Sequence, residues 1–329
     1  MEKVIIYGMG INGQRLMKSV FNIGKDSEIE ILALMDKAEI KASFPYPVLY
    51  PDSLVQLSYD YIVVTSEQYY EEIKNELTVK YAIQPEKIIL WRTWLYQSKN
   101  HYCCLCGHTM PVMLKFGQES PAFHSKKIVG GGIRWSRCVF CGSLDRNRWV
   151  QYVLEHKTDI YTRLTRVLHF APEPMIREKL RAEHCGEYIT ADIDAEKKVD
   201  RIEDITNISF SNDTFDFIIC NHVMEHIKAE AKAFSELKRC LKTGGKVIFS
   251  VPVCWEQKTA EDDAVTSEEQ RLIEYGQKDH VRLYGNDLKQ RLETHGFKVS
   301  MYRVDQELTK EEIKRMCLIP EDTVWILEK

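Results

Sequence analysis

The stretch FDFIICNHVMEHI, from Phe215 to Ile227, decides the fold of this chain. Its first part, FDFIIC, is a short apolar run typical of a buried strand, and Asn221 and His222 follow it directly. A helical stretch, SELKRCLK, then leads through the turn at Gly244–Gly245 into a second apolar run, KVIFSVP. A strand, a helix and another strand in this order predict parallel strands whose carboxyl ends carry the ligand.

Two further strands are predicted upstream of this stretch. VLHF (Val167–Phe170) runs into the tight loop APEP, and EYITADI (Glu187–Ile193) ends near Asp192. A second acidic position, Asp204, lies in EDITNISF. The links between the runs are short or helical, which predicts an α/β fold with a parallel sheet. An acid at the end of the second strand suits ribose hydroxyls, because a carboxylate accepts two hydrogen bonds from a diol.

From Arg166 to the C-terminus this order of features resembles the class I S-adenosylmethionine-dependent methyltransferases. The resemblance implies that Asp192 holds the ribose of S-adenosylmethionine, that Asp204 and the backbone of Ile205 meet the adenine, and that Asn221 and His222 line the mouth. The whole set of cofactor-binding residues implied in this way is His169, Ala171, Glu173, Asp192, Ile193, Asp204, Ile205, Asn221 and His222.

The loop after the first of these strands departs from the family. The family usually has glycines there, whereas this chain has Ala171-Pro172-Glu173-Pro174, and His169 stands where the family usually has an acid. Without glycine the backbone approaches the methionine part of the cofactor less closely. Alanine is the smallest substitute, so we still expect the cofactor to bind.

Catalytic candidates follow the strand FDFIIC. Glu225-His226 lies at the rim where the cofactor's methyl group is expected, and a histidine near neutral pH suits a general base. The segment Gly276–Gly285 is expected to fold over the same mouth, and it carries His280 as a second candidate. The alternatives are that His226 only packs and that the segment is a surface loop.

The first 98 residues predict a separate Rossmann-type unit. Four strands are indicated by KVIIYG, EIEILALMD, YDYIVVTS and KIILW, and QRLMKSVFN predicts a helix. GMGING places Gly8, Gly10 and Gly13 in the pattern G-x-G-x-x-G, and Asp36 ends the second strand. The unit resembles the small Rossmann-type modules attached to enzymes of bacterial surface-sugar synthesis. A site for NAD, a site for another nucleotide or sugar nucleotide, and a structural or docking role all remain open.

Residues 99–150 predict a small zinc-binding module. Cys103 and Cys106 form one C-x-x-C pair, Cys138 and Cys141 form another, and a glycine follows each pair. Two such pairs provide the four thiolates of a closed, structural Zn²⁺ site, a zinc ribbon. The segment is also basic, since eight cations outnumber Glu119 and Asp145. These cations are Lys99, Lys115, Lys126, Lys127, Arg134, Arg137, Arg146 and Arg148. Either an anionic partner or a solvated surface would explain them.

Length and composition limit the remaining possibilities. A chain of 329 residues suggests two or three domains, which we predict at 1–98, 99–150 and 151–329, the last being the methyltransferase domain. No run of 18 apolar residues is present, so no membrane span is predicted. The N-terminus does not resemble a signal peptide, and we expect a cytoplasmic protein with reduced cysteines. The net charge of −4 gives no general attraction to nucleic acid.

Three functions are compatible with the sequence. The first is a methyltransferase that acts on a small molecule, expected to be an anionic sugar or a sugar nucleotide of surface polysaccharide synthesis; the combination of modules is similar to that of the nucleotide-sugar C-methyltransferases. The second is an RNA methyltransferase whose zinc module holds RNA. The third is a non-catalytic scaffold that keeps the fold, as the missing glycine loop would allow. The sequence names neither the acceptor atom nor the oligomeric state.

Overall fold

A computed structural model describes residues 2–11, 13, 14, 17, 29–38, 40, 44–97 and 100–329. The chain divides into two units, Met1–Lys115 with Arg137–Phe140, and Phe116–Ser136 with Cys141–Lys329. Each unit is described by itself below. The division into three domains drawn from the sequence stays a prediction.

The first unit contains a five-stranded parallel sheet in the order β3-β2-β1-β4-β5. Its strands are β1 (Glu2–Tyr7), β2 (Ile29–Met35), β3 (Val48–Leu49), β4 (Tyr61–Val64) and β5 (Ile88–Leu90). The helices are α1 (Tyr70–Tyr81) and α2 (Trp91–Gln97), with 3-10 turns at Pro51–Gln56 and Pro85–Lys87. The four predicted strands correspond to β1, β2, β4 and β5. The predicted helix QRLMKSVFN lies largely outside the described residues.

The strands of this first sheet are nearly continuous apolar runs. In β1, Val4, Ile5 and Ile6 are all 0% exposed, as are Ile62 and Val63 in β4. Burial on both faces is what a parallel sheet covered by helices requires. Short strands follow in the chain at β6 (His101–Tyr102), β7 (Thr109–Met110) and β8 (Leu114–Phe116), and β6 pairs antiparallel with β7.

The second unit contains a seven-stranded sheet in the order β13-β12-β11-β14-β15-β19-β18. Its strands are β11 (Arg166–Phe170), β12 (Glu187–Asp192), β13 (Arg201–Ile202), β14 (Phe215–Asn221), β15 (Leu241–Ser250), β18 (Lys298–Arg303) and β19 (Thr323–Glu328). The first five strands in this order are parallel, and β19 is antiparallel to both of its neighbours. The predicted α/β class with parallel sheets is therefore confirmed.

Helices of the second unit pack against this sheet or against one another. They are α3 (Pro121–Ser125), α4 (Asp145–Lys157), α5 (Pro174–Glu183), α6 (Glu230–Cys240), α7 (Glu268–Tyr275), α8 (Leu288–Thr294), α9 (Val304–Glu307) and α10 (Lys310–Met316). Helix α6 shows why they pack: Ala233, Phe234, Leu237 and Cys240 are all fully buried, and their spacing places them on one face of a helix. They join Phe249 of β15 in the core.

A small three-stranded sheet joins the segment Phe116–Ser136 to the loops that follow the large sheet. It consists of β9 (Ile128–Val129), β16 (Val253–Cys254) and β17 (Tyr284–Gly285); β16 pairs antiparallel with β9 and parallel with β17. Strand β10 (Arg134–Arg137) ends this segment. Side chains from a region predicted to belong to the zinc module are therefore placed beside the strand ends of the second unit.

Among the helices that the structure describes, none is long and apolar enough to cross a bilayer.

Candidate cofactor and acceptor site

A cavity of about 410 Å³ opens at the carboxyl ends of β11, β12 and β14. This volume lies within the roughly 300–1,000 Å³ that is usual for small-molecule sites. The lining residues are Phe170, Ala171, Asp192, Ile193, Lys197, Glu203, Asp204, Ile205, His222, Val223, His226, Ile227 and Asp279. Acidic side chains outnumber the single lysine, so the lining favours a ligand that carries positive charge.

Asp192 is the last residue of β12 and presents a carboxylate to the cavity. Its Oδ1 accepts a 2.9 Å hydrogen bond from the amide of Asp194, while its Oδ2 has no hydrogen bond within the described part of the chain. Asp204 is held similarly, because its Oδ1 accepts from both the amide and the hydroxyl of Thr206 at 2.8 Å. Each carboxylate is thus fixed through one oxygen and leaves the other for a ligand.

Glu203 also lines the cavity, but its side chain has a structural role. The carboxylate is 5% exposed and accepts hydrogen bonds from the amide and the hydroxyl of Ser209. Both of its oxygens are therefore used within the protein. Of these two adjacent acids, Asp204 is the one predicted from the sequence, and it keeps one carboxylate oxygen for a ligand.

Ala171 adopts a φ of 45°, the left-handed region that usually favours glycine. Its amide donates a 2.8 Å hydrogen bond to the carbonyl oxygen of Ala191, which holds the loop against β12. The loop therefore makes the turn expected of a glycine loop with alanine in the strained position. Strain of this kind persists only where neighbouring contacts enforce it.

His169 lies beneath this loop and does not line the cavity. It is 0% exposed, and its two ring nitrogens lie 2.8 Å from Tyr188 Oη and 2.9 Å from Glu173 Oε2. Burial acts to raise the pKa of Glu173, but the hydrogen bond and the charge of His169 outweigh it, so the pKa of Glu173 is lowered. The pair links β11 to the start of α5 and supports the loop from below.

The end of β14 turns sharply at His222, whose φ is 51°. The amide of His222 donates a hydrogen bond to Ser250 on β15, and Asn221 accepts one from the Ser250 hydroxyl at 3.0 Å. This turn directs His222 into the cavity. Asn221 is 3% exposed and does not line it. Burial and the nearby Arg146 lower the pKa of His222.

A single 3-10 turn, Met224–His226, follows and brings a carboxylate and two imidazoles together. Ligand-type atoms of Glu225, His226 and His280 all lie within 4.8 Å of one another. The His226 and His280 rings meet edge to face with their centroids 4.8 Å apart. His226 lines the cavity and its side chain is 33% exposed, whereas His280 is 3% exposed and lies behind it.

A second, much smaller cavity of about 20 Å³ lies on the other side of His222. Arg146 and His280 line it, together with Phe123 and Gly131 from the segment that contains β9. The Nε of Arg146 is buried and has no hydrogen-bond partner among the described residues. A guanidinium in this state is suited to bind an anionic group.

Several lining residues were not singled out in the sequence. They are Lys197, Glu203, Asp279 and Arg146; of these, only Arg146 was named from the sequence, as a cation of the basic segment and not as a residue of this site. Asp279 precedes His280 directly, and its Oδ2 lies 3.3 Å from Nδ1 of His226; its position beside a candidate histidine was the one available signal. Of the nine predicted cofactor residues, six line the larger cavity, and His169, Glu173 and Asn221 do not.

The four cysteines of the two C-x-x-C pairs converge. Their sulfur atoms lie within 4.8 Å of one another, and Cys106 Sγ is 3.8 Å from Cys138 Sγ. Gly107 and Gly142 have φ of 72° and 74°, so each pair is followed by the turn that its glycine was expected to make. Four convergent cysteine sulfurs are compatible with a tetrahedral Zn²⁺ site.

The predicted glycine motif lines a pocket of about 620 Å³ in the first unit. Gly8, Gly10, Gly13 and Asp36 all contribute to its wall. Both oxygens of Asp36 already accept backbone hydrogen bonds, at 2.5 Å from Met9 and at 3.0 Å from Ala38. Asp36 therefore closes the glycine loop onto β2.

Comparisons with known proteins agree with this geometry. Residues 169–301 match a family described as "Methyltransferase domain", and residues 1–89 match one described as "C2185-like, N-terminal". The first match supports a methyltransferase domain in the C-terminal half and S-adenosylmethionine as its cofactor. A comparison with curated proteins finds no match.

Two solved structures each align with a little over half of this chain. The YcgJ protein from Bacillus subtilis is 16% identical over 56% of this chain and 99% of that chain, with a TM-score of 0.37. A SAM-dependent methyltransferase from Archaeoglobus fulgidus is 18% identical over 58% of this chain and 96% of that chain, also with a TM-score of 0.37.

Proposed function

We propose that this protein is an S-adenosylmethionine-dependent methyltransferase that acts on a small anionic molecule, a sugar derivative or sugar nucleotide. The observation that carries the proposal is the composition of the 410 Å³ cavity, whose lining combines the carboxylates of Asp192 and Asp204 with the imidazoles of His222 and His226. The carboxylates suit the ribose and the positive charge of the cofactor, and an imidazole suits the proton of the acceptor, so one cavity offers groups for both molecules.

The residues present fit the cofactor. The second oxygen of Asp192 has room for a ribose hydroxyl, and the Asp204–Ile205 backbone would meet the adenine. The turn at Ala171 presents backbone to the methionine part. S-adenosylmethionine supplies an electrophilic methyl group on a positively charged sulfur, and the acidic lining complements that charge.

The protein's own chemistry is to position the acceptor and to accept its proton. Positioning supplies much of the acceleration of a group transfer, and a general base adds roughly 10²–10⁴-fold. His226 is our first choice for the base because it lines the cavity; His280 is next. Glu225, with its ligand-type oxygen within 4.8 Å of both, would stabilise either ring once it is protonated.

An anionic acceptor is favoured by Arg146. Arg146 lines the small cavity beside His222 and His280, and its buried Nε has no hydrogen-bond partner in the described part of the chain. A phosphate or carboxylate of the substrate would supply the missing hydrogen bond, and a charge-assisted bond of this kind is among the stronger ones. The acceptor hydroxyl would then lie towards His226.

The alternative of an RNA substrate receives less support, because much of the basic segment is engaged within the protein. Arg134 pairs with Asp145, Lys126 with Glu274 and Lys127 with Glu321. Arg148 is 0% exposed and donates to backbone carbonyls. Lys99 lies outside the described residues. These contacts occupy charges that an RNA backbone would otherwise use.

A non-catalytic scaffold is also less well supported. It was motivated by the missing glycine loop, and Ala171 adopts the left-handed turn that glycine usually provides. The buried polar groups at the mouth, including Glu225 and His280, would be costly to retain without a ligand.

For the cysteine cluster we propose one structural Zn²⁺ held by Cys103, Cys106, Cys138 and Cys141. With four protein ligands the site is closed, so the metal would stabilise the local fold and take no part in methyl transfer. For the pocket of the first unit we propose a nucleotide or a sugar nucleotide, because no described atom lies within 4 Å of a Cβ built at Gly10. Backbone access at the middle glycine is what a bound phosphate needs.

Labelled methyl transfer tests the enzymatic proposal. The full chain is incubated with methyl-tritiated S-adenosylmethionine and either a small-molecule fraction or the RNA fraction of a cell extract. We expect label in the small-molecule fraction and at least a ~100-fold loss with His226→Ala, while cofactor affinity stays within a few-fold. Label confined to RNA would support the alternative, and the absence of cofactor binding by calorimetry would exclude both enzymes.

A further inference from the structure

We infer that Glu225, His226 and His280 bind a divalent transition-metal ion beside the cofactor cavity. This site is separate from the cysteine cluster in its ligands. The binding of the metal follows from the geometry alone, and only its role in methyl transfer rests on the proposed function. The three donor groups lie within 4.8 Å of one another. Ligands around an ion with bonds of about 2.1 Å are roughly 3–3.5 Å apart, so small side-chain rotations would complete the site.

Two segments far apart in the chain are fixed together at this point. The amide of Val281 donates a 2.8 Å hydrogen bond to the carbonyl oxygen of Glu225. Arg282 donates to the carbonyl oxygens of Met224 and Ile227, both at 2.6 Å. The backbone on each side of the three donors is therefore fixed before any ligand binds, which is the preorganisation that a metal site requires.

Two buried polar atoms of the cluster find no hydrogen-bond partner in the part of the chain that the structure describes. Glu225 is 1% exposed and His280 is 3% exposed, and neither Glu225 Oε2 nor His280 Nδ1 has a hydrogen bond among the described residues. An unsatisfied buried polar atom costs roughly 1–3 kcal/mol, and more when it is charged. A cation bound between a carboxylate oxygen and an imidazole nitrogen would satisfy both atoms at once.

The neighbours of the three donors suit a metal site. Asp279 Oδ2 lies 3.3 Å from His226 Nδ1, and His222 Nδ1 lies 3.3 Å from Glu225 Oε1. Metal-binding histidines and carboxylates are usually oriented by such outer partners.

The donor set indicates the class of metal. Two imidazole nitrogens and one carboxylate oxygen favour Mn²⁺, Fe²⁺, Co²⁺, Ni²⁺ or Zn²⁺ over Mg²⁺ and Ca²⁺, which prefer oxygen ligands. Three protein ligands leave coordination positions open, and His226 brings the ion to the wall of the cavity. An acceptor with a hydroxyl next to a second oxygen, such as a vicinal diol, could occupy two of these positions.

A metal at this place would change the role assigned to the histidines. As ligands, His226 and His280 would no longer accept the acceptor's proton. The ion itself would lower the pKa of an acceptor hydroxyl, as bound metals do for water, and the proton would pass to solvent. The cavity wall at His226 is partly exposed, which gives that proton a route out.

Manganese binding tests the inference. The full chain carries a single equivalent of Zn²⁺, which the four thiolates bind preferentially, so that the Glu225–His226–His280 site stays free of zinc. It is titrated with MnCl₂ in the absence of S-adenosylmethionine, and the free ion is followed by electron paramagnetic resonance. Thiolates are poor ligands for Mn²⁺, so the cysteines do not compete. We expect one bound Mn²⁺ per chain, and at least a ~100-fold weaker affinity in Glu225→Gln and in His280→Gln.

His124→Gln is the matched control, because His124 is exposed and lies 3.6 Å from Glu119, another histidine–carboxylate pair. It should bind Mn²⁺ as the wild type does. Near-ultraviolet circular dichroism of the metal-free variants shows whether they are folded, and Asp279→Asn provides an exposed second variant with an expected weakening of roughly 10-fold.

No Mn²⁺ bound by the wild type, or equal affinity in the folded Glu225→Gln and His280→Gln variants, would overturn the inference. Calorimetry with S-adenosylmethionine is run separately on the same samples. Metal binding without cofactor binding would refute the proposed function and leave the metal site intact.

Discussion

The Arg282 guanidinium donates a 2.6 Å hydrogen bond to the carbonyl oxygen of Met224, 58 residues earlier in the chain. The same side chain is 0% exposed and is paired with Glu261 at 2.5 Å. A buried arginine thus holds the turn that carries Glu225 and His226. In the sequence Arg282 was one polar residue of a loop, but its contacts give it the role of positioning the site.

Replacing Arg282 with methionine should destabilise the second unit. The substitution keeps the apolar stem but removes the hydrogen bonds to Met224 and Ile227 and leaves Glu261 without this partner. We expect a loss of roughly 3 kcal/mol or more in the free energy of unfolding. Urea unfolding measures it, with the exposed Arg163→Met as the control. Equal stability of the two variants would contradict this role.

Asp192→Ala should weaken the binding of S-adenosylmethionine. It removes charge-assisted hydrogen bonds to the ribose worth about 2 kcal/mol, which is roughly 30-fold in Kd. Isothermal titration calorimetry gives the affinity. Asp194→Ala is the control, because Asp194 is exposed and only two residues away. If both variants bind like the wild type, Asp192 is not the ribose partner.

The purified protein should contain one zinc held by the cysteine cluster. Cys138→Ser combined with Cys141→Ser removes two of four thiolates, so the metal should be lost. Elemental analysis of protein prepared without chelator measures the stoichiometry. Cys185→Ser, at an exposed cysteine, should keep its zinc. A metal-free wild type would refute the zinc site.

Alanine at Gly13 should affect stability, whereas alanine at Gly10 should affect nucleotide binding. A Cβ at Gly13 would overlap the carbonyl oxygen of Gly8, whereas one at Gly10 meets no described atom within 4 Å. Gly13→Ala should therefore destabilise the first unit by roughly 1–3 kcal/mol. Gly10→Ala should leave stability unchanged but weaken nucleotide binding. Thermal unfolding with and without a nucleotide distinguishes the two effects, and a stable Gly13→Ala protein would argue against the tight loop.

Acid should destabilise the second unit partly through Asp216. Burial acts to raise the pKa of Asp216, but hydrogen bonds from Lys242 at 2.7 Å and from the amide of Arg166 at 2.8 Å outweigh it and lower the pKa. The unfolded chain then takes up a proton near pH 4 while the folded chain does not. This contribution to stability is present above about pH 4 and is lost as the pH falls towards the lowered value.

Asp216→Asn should accordingly be less stable than the wild type at pH 7 and lose less stability between pH 7 and pH 3. Denaturant unfolding across this range provides the comparison. Asp263→Asn, at an exposed aspartate, should follow the wild-type profile. A parallel shift of the Asp216→Asn curve at every pH would mean that the carboxylate does not contribute through its ionisation.

The sequence alone predicted the positions of the main strands along the chain and the convergence of the cysteines. EYITADI corresponds to β12 (Glu187–Asp192), and FDFIIC corresponds to all but the last residue of β14 (Phe215–Asn221). These features are local: apolar runs of strand length and fixed C-x-x-C spacing act within a few residues, so the pattern indicates the structure directly.

The tertiary structure alone decided how the mouth is built. Asp279 and His280 meet Glu225 and His226 because a later loop is bonded back onto the turn after β14, through Arg282 and Val281. The burial of Glu225 and the left-handed turn at Ala171 depend on neighbours from other strands. Burial, charge pairing and backbone strain arise from contacts between distant segments, and no local pattern carries that information.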